Sequence, residues 1–243
     1  MQFICTQSWV PLRSEQSSSS EMVSSLLFGE TCLLIEETVE WINVSCDHDG
    51  YQGWIPQSYV RPALDNFREW NRKVAVHGAI MQNSTGRIDL SPGSIIPNDL
   101  ECNLSGSVFR YSDARVFEPE NADAAGLANL FLHTPYLWGG RSVWGIDCSG
   151  LVQVVYGILG KPLPRDASQQ VNTGSAVSFA EQQSGDLAFF EKDERITHVG
   201  IVLSDNRIIH ASGKVRIDFL TESGIINSET GQNTHALSCI KRV

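Results

Sequence analysis

The chain is short of positive charge. Its 18 lysines and arginines are outnumbered by 28 aspartates and glutamates, giving a formal net charge of −10 over 243 residues. A nucleic-acid backbone or an anionic membrane surface calls for a basic face, so neither is a natural partner. Long apolar runs are missing too: no window approaches the roughly 18 apolar residues of a membrane-spanning helix. The opening MQFICTQSWVPLRSE has neither a basic n-region nor an apolar stretch of signal-peptide length. A cytoplasmic location is therefore expected if Met1 is the natural start, and a periplasmic or secreted one if a leader has been removed. Closely spaced cysteines are also absent. The six, at 5, 32, 46, 102, 148 and 239, show no CxxC spacing and match no zinc framework. Most lie in apolar or strand-like runs such as ETCLLIEE and HALSCIKRV, where a free thiol packs as a small hydrophobe and suits a reducing compartment.

What is present is ordinary globular material, 42% apolar and 19% charged, enough for one large domain or two to three small ones. Residues 1–62 read as short strands, QSWVPL, TCLLIEE, EWINVSC and YQGWIP, separated by turns and without helical periodicity. A small β-barrel is expected there, with the serine-rich RSEQSSSSEM as a surface loop between its first two strands. Residues 63–117 read as a second small β unit or a structured linker. ALDNFREWNRKVAV suggests a short helix leading into a strand, and RIDLSPGSIIP and SGSVFRYS suggest strands about a Pro-Gly turn. From 118 the texture changes. NADAAGLANLFLH spaces apolar residues at 124, 127, 128, 131 and 132 and stops at Pro135. A helix then opens at Cys148, shows an apolar face at Leu151, Val152, Val155, Ile158 and Leu159, and ends at Gly160 and Pro162. A short helix follows, with Asp166 as N-cap and Gln169 completing the box. Four strands close the chain. Helices followed by antiparallel-type strands make residues 118–243 an α+β domain, with helices packed on an antiparallel sheet.

Cys148 stands at the first turn of an apolar helix, in WGIDCSGLVQVVYGILG. Unpaired N–H groups and the positive dipole end favour a thiolate there, the form in which cysteine is a nucleophile. A base is still needed. His198 in ITHVGIV and His210 in IIHASG lie twelve residues apart on two successive strands; if these form a hairpin the two rings meet across the ladder. His198 would then pair with Cys148, and His210 would orient His198, the chain order of a cysteine peptidase. Each also has a plain reading, as a packed thiol or a satisfied strand histidine. Metal binding by Cys148, His198 and His210 lacks any closely spaced ligand pair.

The wording around these residues goes further. YLWGGRSVWGIDCSGLVQVVY, LPRDASQQ, GDLAFF, THVGIVL and IIHASG, in that order, resemble the NlpC-type family of papain-like cell-wall cysteine peptidases. The resemblance implies Cys148 as nucleophile, His198 as base and His210 as the orienting third residue. It implies hydrolysis of peptidoglycan stem peptides, between γ-D-glutamate and a diamino acid, with no metal or organic cofactor. VPLRSEQSSSSEMVSSLLFGE with EWINVSCDHDGYQGWIP resembles the bacterial SH3-like domain that precedes a subgroup of these enzymes. That subgroup is a recycling group, which prefers L-Ala-γ-D-Glu-diamino acid fragments with a free N-terminal amine.

Such an ammonium needs carboxylates and a hydroxyl around it. The resemblance assigns these to Asp166 in the catalytic domain and to Glu21 and Tyr51 in the SH3-like domain, whose plain readings are a solvated loop residue and a barrel aromatic. Asp147 and Ser149 flank the nucleophile and are placed to bind the peptide backbone, while Asp147 also suits a helix cap. Arg165 would meet a substrate carboxylate or hold its own loop. Tyr136 would offer its hydroxyl to the oxyanion beside the Cys148 N–H, and Trp138 would line the pocket or pack. Two rivals remain at this stage: a non-catalytic wall-peptide binding module, and an acyltransferase or amidase on the same scaffold.

Overall fold

Alternation of apolar and polar side chains sets the N-terminal strands. In the computed structural model, which describes residues 1–63, 70, 72–104, 107–111 and 122–243, these are β1 (Gln2–Cys5), β2 (Trp9–Arg13), β3 (Met22–Leu27), β4 (Thr31–Glu37), β5 (Trp41–Cys46), β6 (Gln52–Pro56) and β7 (Val60–Pro62). They form one antiparallel sheet in the order β3-β2-β6-β5-β4-β1-β7. Period-two burial turns Val10, Leu12, Ile42, Val44 and Cys46 to one side. There they meet Phe3, Cys5, Leu26, Cys32, Ile55 and Val60 in one apolar cluster. The sheet thus wraps around its own core. The serine-rich loop closes on itself, with Ser14 N–H donating to Glu21 O at 2.9 Å and the Arg13 guanidinium to Ser20 O at 2.9 Å.

Six further strands follow: β8 (Arg72–Lys73), β9 (Ala79–Asn83), β10 (Gly86–Leu90), β11 (Ile95–Ile96), β12 (Glu101–Leu104) and β13 (Ser107–Tyr111). They pair as β10-β9-β13-β12 and β11-β8. Residues 64–69 and 71, within the segment expected to be helical, lie outside the described residues, and Arg72–Lys73 is strand. The core here draws Ile4 of the first sheet and Phe28 of the turn after β3 together with Val74, Ala79, Met81, Leu90, Ile96 and Phe109. Met1–Glu118 lies within one compact unit.

That unit also takes in Trp138–Val143, which contains β14 (Arg141–Ser142). Arg141 explains this. Its guanidinium grips the buried Glu30 through Nη1–Oε2 at 2.7 Å and Nη2–Oε1 at 2.8 Å, and donates to Ser25 O at 2.6 Å. Gly139, at φ +77°, passes so close to Met22 that a Cβ would lie 2.5 Å from its carbonyl oxygen. The sequence reading placed this segment inside the C-terminal domain; a buried ion pair, which no periodicity reveals, assigns it to the other unit.

The second unit is Pro119–Leu137 with Trp144–Val243. It holds α1 (Ala124–Asn129), β15 (Gly145–Ile146), α2 (Cys148–Ile158), α3 (Ala167–Gln170), β16 (Ser175–Val177), β17 (Leu187–Lys192), β18 (Arg195–Leu203), β19 (Arg207–Ser212), β20 (Lys214–Thr221), β21 (Gly224–Ile226) and β22 (Asn233–Arg242). The strands run β16-β22-β17-β18-β19-β20-β21, and β22 also pairs with β21. Six strands therefore close into a ring. Expected as helices packed on an antiparallel sheet, the domain has the antiparallel strands but is dominated by them as a barrel, with short helices packed against β18 and β19. Ala188, Phe190, Val202, Ile208, Leu220, Ile225 and Ile240 fill the barrel. Alternation along the same strands turns His198, His210 and Asp218 to that inner face.

Candidate active site

The turn that presents Cys148 is built by buried polar groups. Asp147 caps α2, its Oδ1 accepting from Gly150 N–H at 2.7 Å. Behind it lies Arg165, 2% exposed, which donates to both Asp147 oxygens at 3.0 and 2.5 Å and to Ser149 Oγ at 2.9 Å. Of the two roles open to Arg165, the one the structure displays is holding its loop: the guanidinium joins the residues on either side of Cys148. Asp147 and Ser149 are engaged in the same way, as parts of the turn. Asp166 caps α3 in a capping box with Gln169 and is half-buried.

Cys148 is itself buried, and there the structure departs from expectation. Burial, then the neighbouring Asp147 carboxylate, push its thiol up to about 11, against the opposing pull of the Val199 and Ser149 N–H groups. The helix terminus is outweighed by desolvation, so Cys148 rests as a thiol rather than a thiolate. Its Sγ accepts from the N–H of Val199, the residue that follows His198 in the chain. Tyr136, half-buried, feels both Cys148 and Asp147, and burial with those charges raises its phenol to about 12. It therefore remains a hydrogen-bond donor.

His198 Nε2 and His210 Nδ1 are 2.8 Å apart, with the rings edge to face. The contact is diagonal, because Ile201 pairs with Ile209 and the ladder extended places His210 opposite Gly200. Gly200 has a steric reason: a Cβ there would meet the Ile208 side chain at 2.7 Å and the His210 Cβ at 2.9 Å. Burial, then repulsion from His210 and His235, hold His198 well below the usual histidine range, so its imidazole is neutral.

Two groups escaped the sequence reading. Asp218 on β20 accepts from His210 Nε2 at 3.0 Å and is paired with Arg216. His235 on β22 stacks on His198, ring centroids 4.2 Å apart and planes 26° off parallel. Both lie in strand runs with no motif around them; only closure of the barrel brings β20 and β22 to the histidine pair. In Asp218 alone was there a usable signal, a carboxylate on the inward parity of a strand two residues from an arginine.

The remaining candidates lie in the first unit. Glu21 Oε1 accepts from the indole N–H of Trp138 at 2.7 Å, and Trp138 is largely exposed. Tyr51 N–H donates to Asp49 Oδ1 at 2.9 Å in a tight turn. Cys46, His48 and Asp49 place ligand-type atoms within 4.8 Å of one another. The Arg141 guanidinium acts on both Cys46 and Asp49 there, which opposes a second cation.

Comparison with known proteins fits this geometry. The profile of the NlpC/P60 family matches residues 133–233, and that of the bacterial dipeptidyl-peptidase Sh3 domain matches residues 12–59. The gamma-D-glutamyl-L-lysine dipeptidyl-peptidase of Bacillus subtilis (strain 168) is 30% identical over 226 residues, spanning 82% of this chain and 76% of the relative. The protein of the same name from Bacillus cereus is 26% identical over 251 residues, spanning 88% and 75%. The crystal structure of an NlpC/P60 family protein from Bacillus cereus superposes with a TM-score of 0.82 over 100% of this chain and 99% of the other, at 19% identity, a likeness of fold.

Proposed function

Since this chain belongs to the NlpC/P60 family of cysteine peptidases, we propose that it hydrolyses the γ-D-glutamyl–diamino acid bond of peptidoglycan stem peptides, acting on released fragments whose N-terminal L-Ala carries a free amine. The observation that carries the reading is the buried pair His198–His210, bonded at 2.8 Å, with the Cys148 thiol against the next residue's N–H. The names of the two Bacillus relatives support the bond and the γ-D-glutamyl position.

Thiol and imidazole both start neutral. As Cys148 Sγ bonds to the γ-D-Glu carbonyl carbon, the thiol proton passes to His198. The developing oxyanion is met by the Cys148 N–H, at the first helical position where no intrahelical acceptor exists, and by the Tyr136 hydroxyl. His198 then gives its proton to the leaving amine of the diamino acid. Water, deprotonated by His198, hydrolyses the thioester, freeing L-Ala-γ-D-Glu and restoring the thiol. Asp166, Glu21 and Tyr51 are assigned to the substrate ammonium by the resemblance, and a carboxylate-rich chain with net charge −10 suits a cationic terminus.

The test is mass spectrometry of products from L-Ala-γ-D-Glu tripeptides ending in lysine or meso-diaminopimelate, each free and N-acetylated. Cleavage of the free forms, loss in Cys148→Ala and resistance of the acetylated forms are expected. Activity surviving in Cys148→Ala would remove the mechanism; equal cleavage of acetylated peptide would remove the free-amine requirement.

A further inference from the structure

The hydrogen bonds behind His198 continue past the residue that orients it. His210 Nε2 meets Asp218 Oδ2 at 3.0 Å, and all three side chains are buried. We propose that Asp218 is a positioning residue which sets the direction of this hydrogen-bond chain and thereby makes Nδ1 of His198 the nitrogen that takes the Cys148 proton.

The argument is one of donors and acceptors. An ionised carboxylate only accepts, so His210 must carry its proton on Nε2. A neutral His210 then has Nδ1 as an acceptor, and His198 must donate to it from Nε2. A neutral His198 is left with its lone pair on Nδ1, the nitrogen facing away from His210. When the thiol attacks, its proton goes to Nδ1 and the Nε2 proton stays in place, so no rearrangement of the chain accompanies S–C bond formation.

Two features hold Asp218 in this role. Its Oδ1 accepts from Ser228 N–H at 2.9 Å, Ser228 Oγ at 2.8 Å and Arg216 Nη2 at 3.1 Å. These bonds, with that from His210, keep the carboxyl far below its ordinary range although burial works the other way. The Arg216 Nε, 2.9 Å from Oδ2, matches the carboxylate's charge. His210 also faces His198 and His235, and Arg216 reaches Glu229 at 3.5 Å.

The same contacts make Asp218→Asn a directed probe. Three donors converge on the Oδ1 position and hold the amide oxygen there, against one ion-pair contact at Oδ2. The NH2 group therefore faces His210 and donates. The chain reverses: His210 accepts on Nε2 and donates from Nδ1, His198 accepts on Nε2, and its proton sits on Nδ1, where the base is needed. Asp218→Ala imposes no direction.

The inference rests on His198 serving as base to Cys148, and the experiment separates the two. With 15N-histidine-labelled full-length protein, the wild type is expected to show His198 protonated on Nε2 and bare on Nδ1, and Asp218→Asn the reverse. With the lysine tripeptide, Asp218→Asn should lower kcat by on the order of 10³–10⁴-fold with KM within about twofold, by analogy with a misdirected catalytic histidine. Asp218→Ala should lose less kcat than Asp218→Asn, although it deletes more packing and lowers the melting temperature further. A purely structural Asp218 predicts the opposite order. A bare Nε2 in the wild type, or Asp218→Asn more active than Asp218→Ala, overturns the proposal. The NMR result stands whatever the substrate, so failure of the peptidase reading would show separately, as activity retained in Cys148→Ala.

Discussion

At the scale of single residues, what distinguishes this site is desolvation. A cysteine at a helix N-terminus is ordinarily an activated thiol, yet here burial overrides the dipole, and the same burial keeps His198 neutral. The consequence is read in pH. His198 stays unprotonated well below 6.5, so the acid limb of kcat/KM should fall below that value. His235 contributes by covering the ring and by repelling a proton on it. His235→Ala admits water to the ring face and should move the acid limb upward. His235→Phe keeps the face covered and should move it less. Identical limbs in wild type and His235→Ala would show that the stacked ring has no influence on the base. Cys148, His198 and His210 could be singled out in the sequence by residue type and local wording, and the structure brings the two histidine rings together. Asp218 and His235 were not singled out, because what qualifies them is a neighbour on another strand.

At the scale of elements, the turn that carries Cys148 depends on an ion pair between Asp147 and Arg165. α2 is apolar and buried nearly throughout, which fixes its body, but the geometry of its first turn is set by Asp147 and by Arg165 from the loop ahead of α3. Cutting one partner leaves the other as an uncompensated buried charge. Arg165→Met should therefore lower stability by about 3–5 kcal/mol, measured by denaturant unfolding, and reduce kcat as well by loosening the turn. A loss below 1 kcal/mol would mean that Asp147 finds another partner. The sequence announced both caps, at Asp147 and Asp166, since capping is local. It left Arg165 between two roles, since only packing shows where a guanidinium goes. The strands were legible too, but not their closure: β22 pairing with both β17 and β21 is a long-range fact that closes the antiparallel sheet into a barrel.

At the scale of the molecule, the chain makes two units whose composition does not follow sequence order. Trp138–Val143 belongs with the first unit through Arg141 and Glu30. Burial alone would raise the Glu30 carboxyl; Arg141 and His48, joined by the Leu27 N–H, bring it down to about 2. A depressed carboxyl adds stability that is complete above its unfolded value of about 4.3 and drains away as pH falls toward about 2. His198 and His235 act in the same direction from a higher starting point, because histidines kept neutral by folding bind protons once unfolded, below about 6.5. Stability should therefore decline in two stages as the solution is acidified. Glu30→Gln should cost about 3–5 kcal/mol at pH 7 and flatten only the lower stage. A variant with the wild-type melting temperature at pH 7 would show that the Arg141 pair is not what holds Trp138–Val143.

By itself, the sequence determined the strand-rich first part, the caps and span of the helix that opens at Cys148, and the choice of Cys148, His198 and His210 as the residues proposed to react. Each of these depends on neighbours within a few positions, through alternation, capping or a local motif. Tertiary structure alone decided that the C-terminal sheet closes, that residues 1–118 share one unit with 138–143, that Arg165 braces the nucleophile turn, and that a carboxylate and a third histidine stand behind His198. Those outcomes depend on burial and on pairings across the chain, where the cost of an unpaired charge or donor selects the partner.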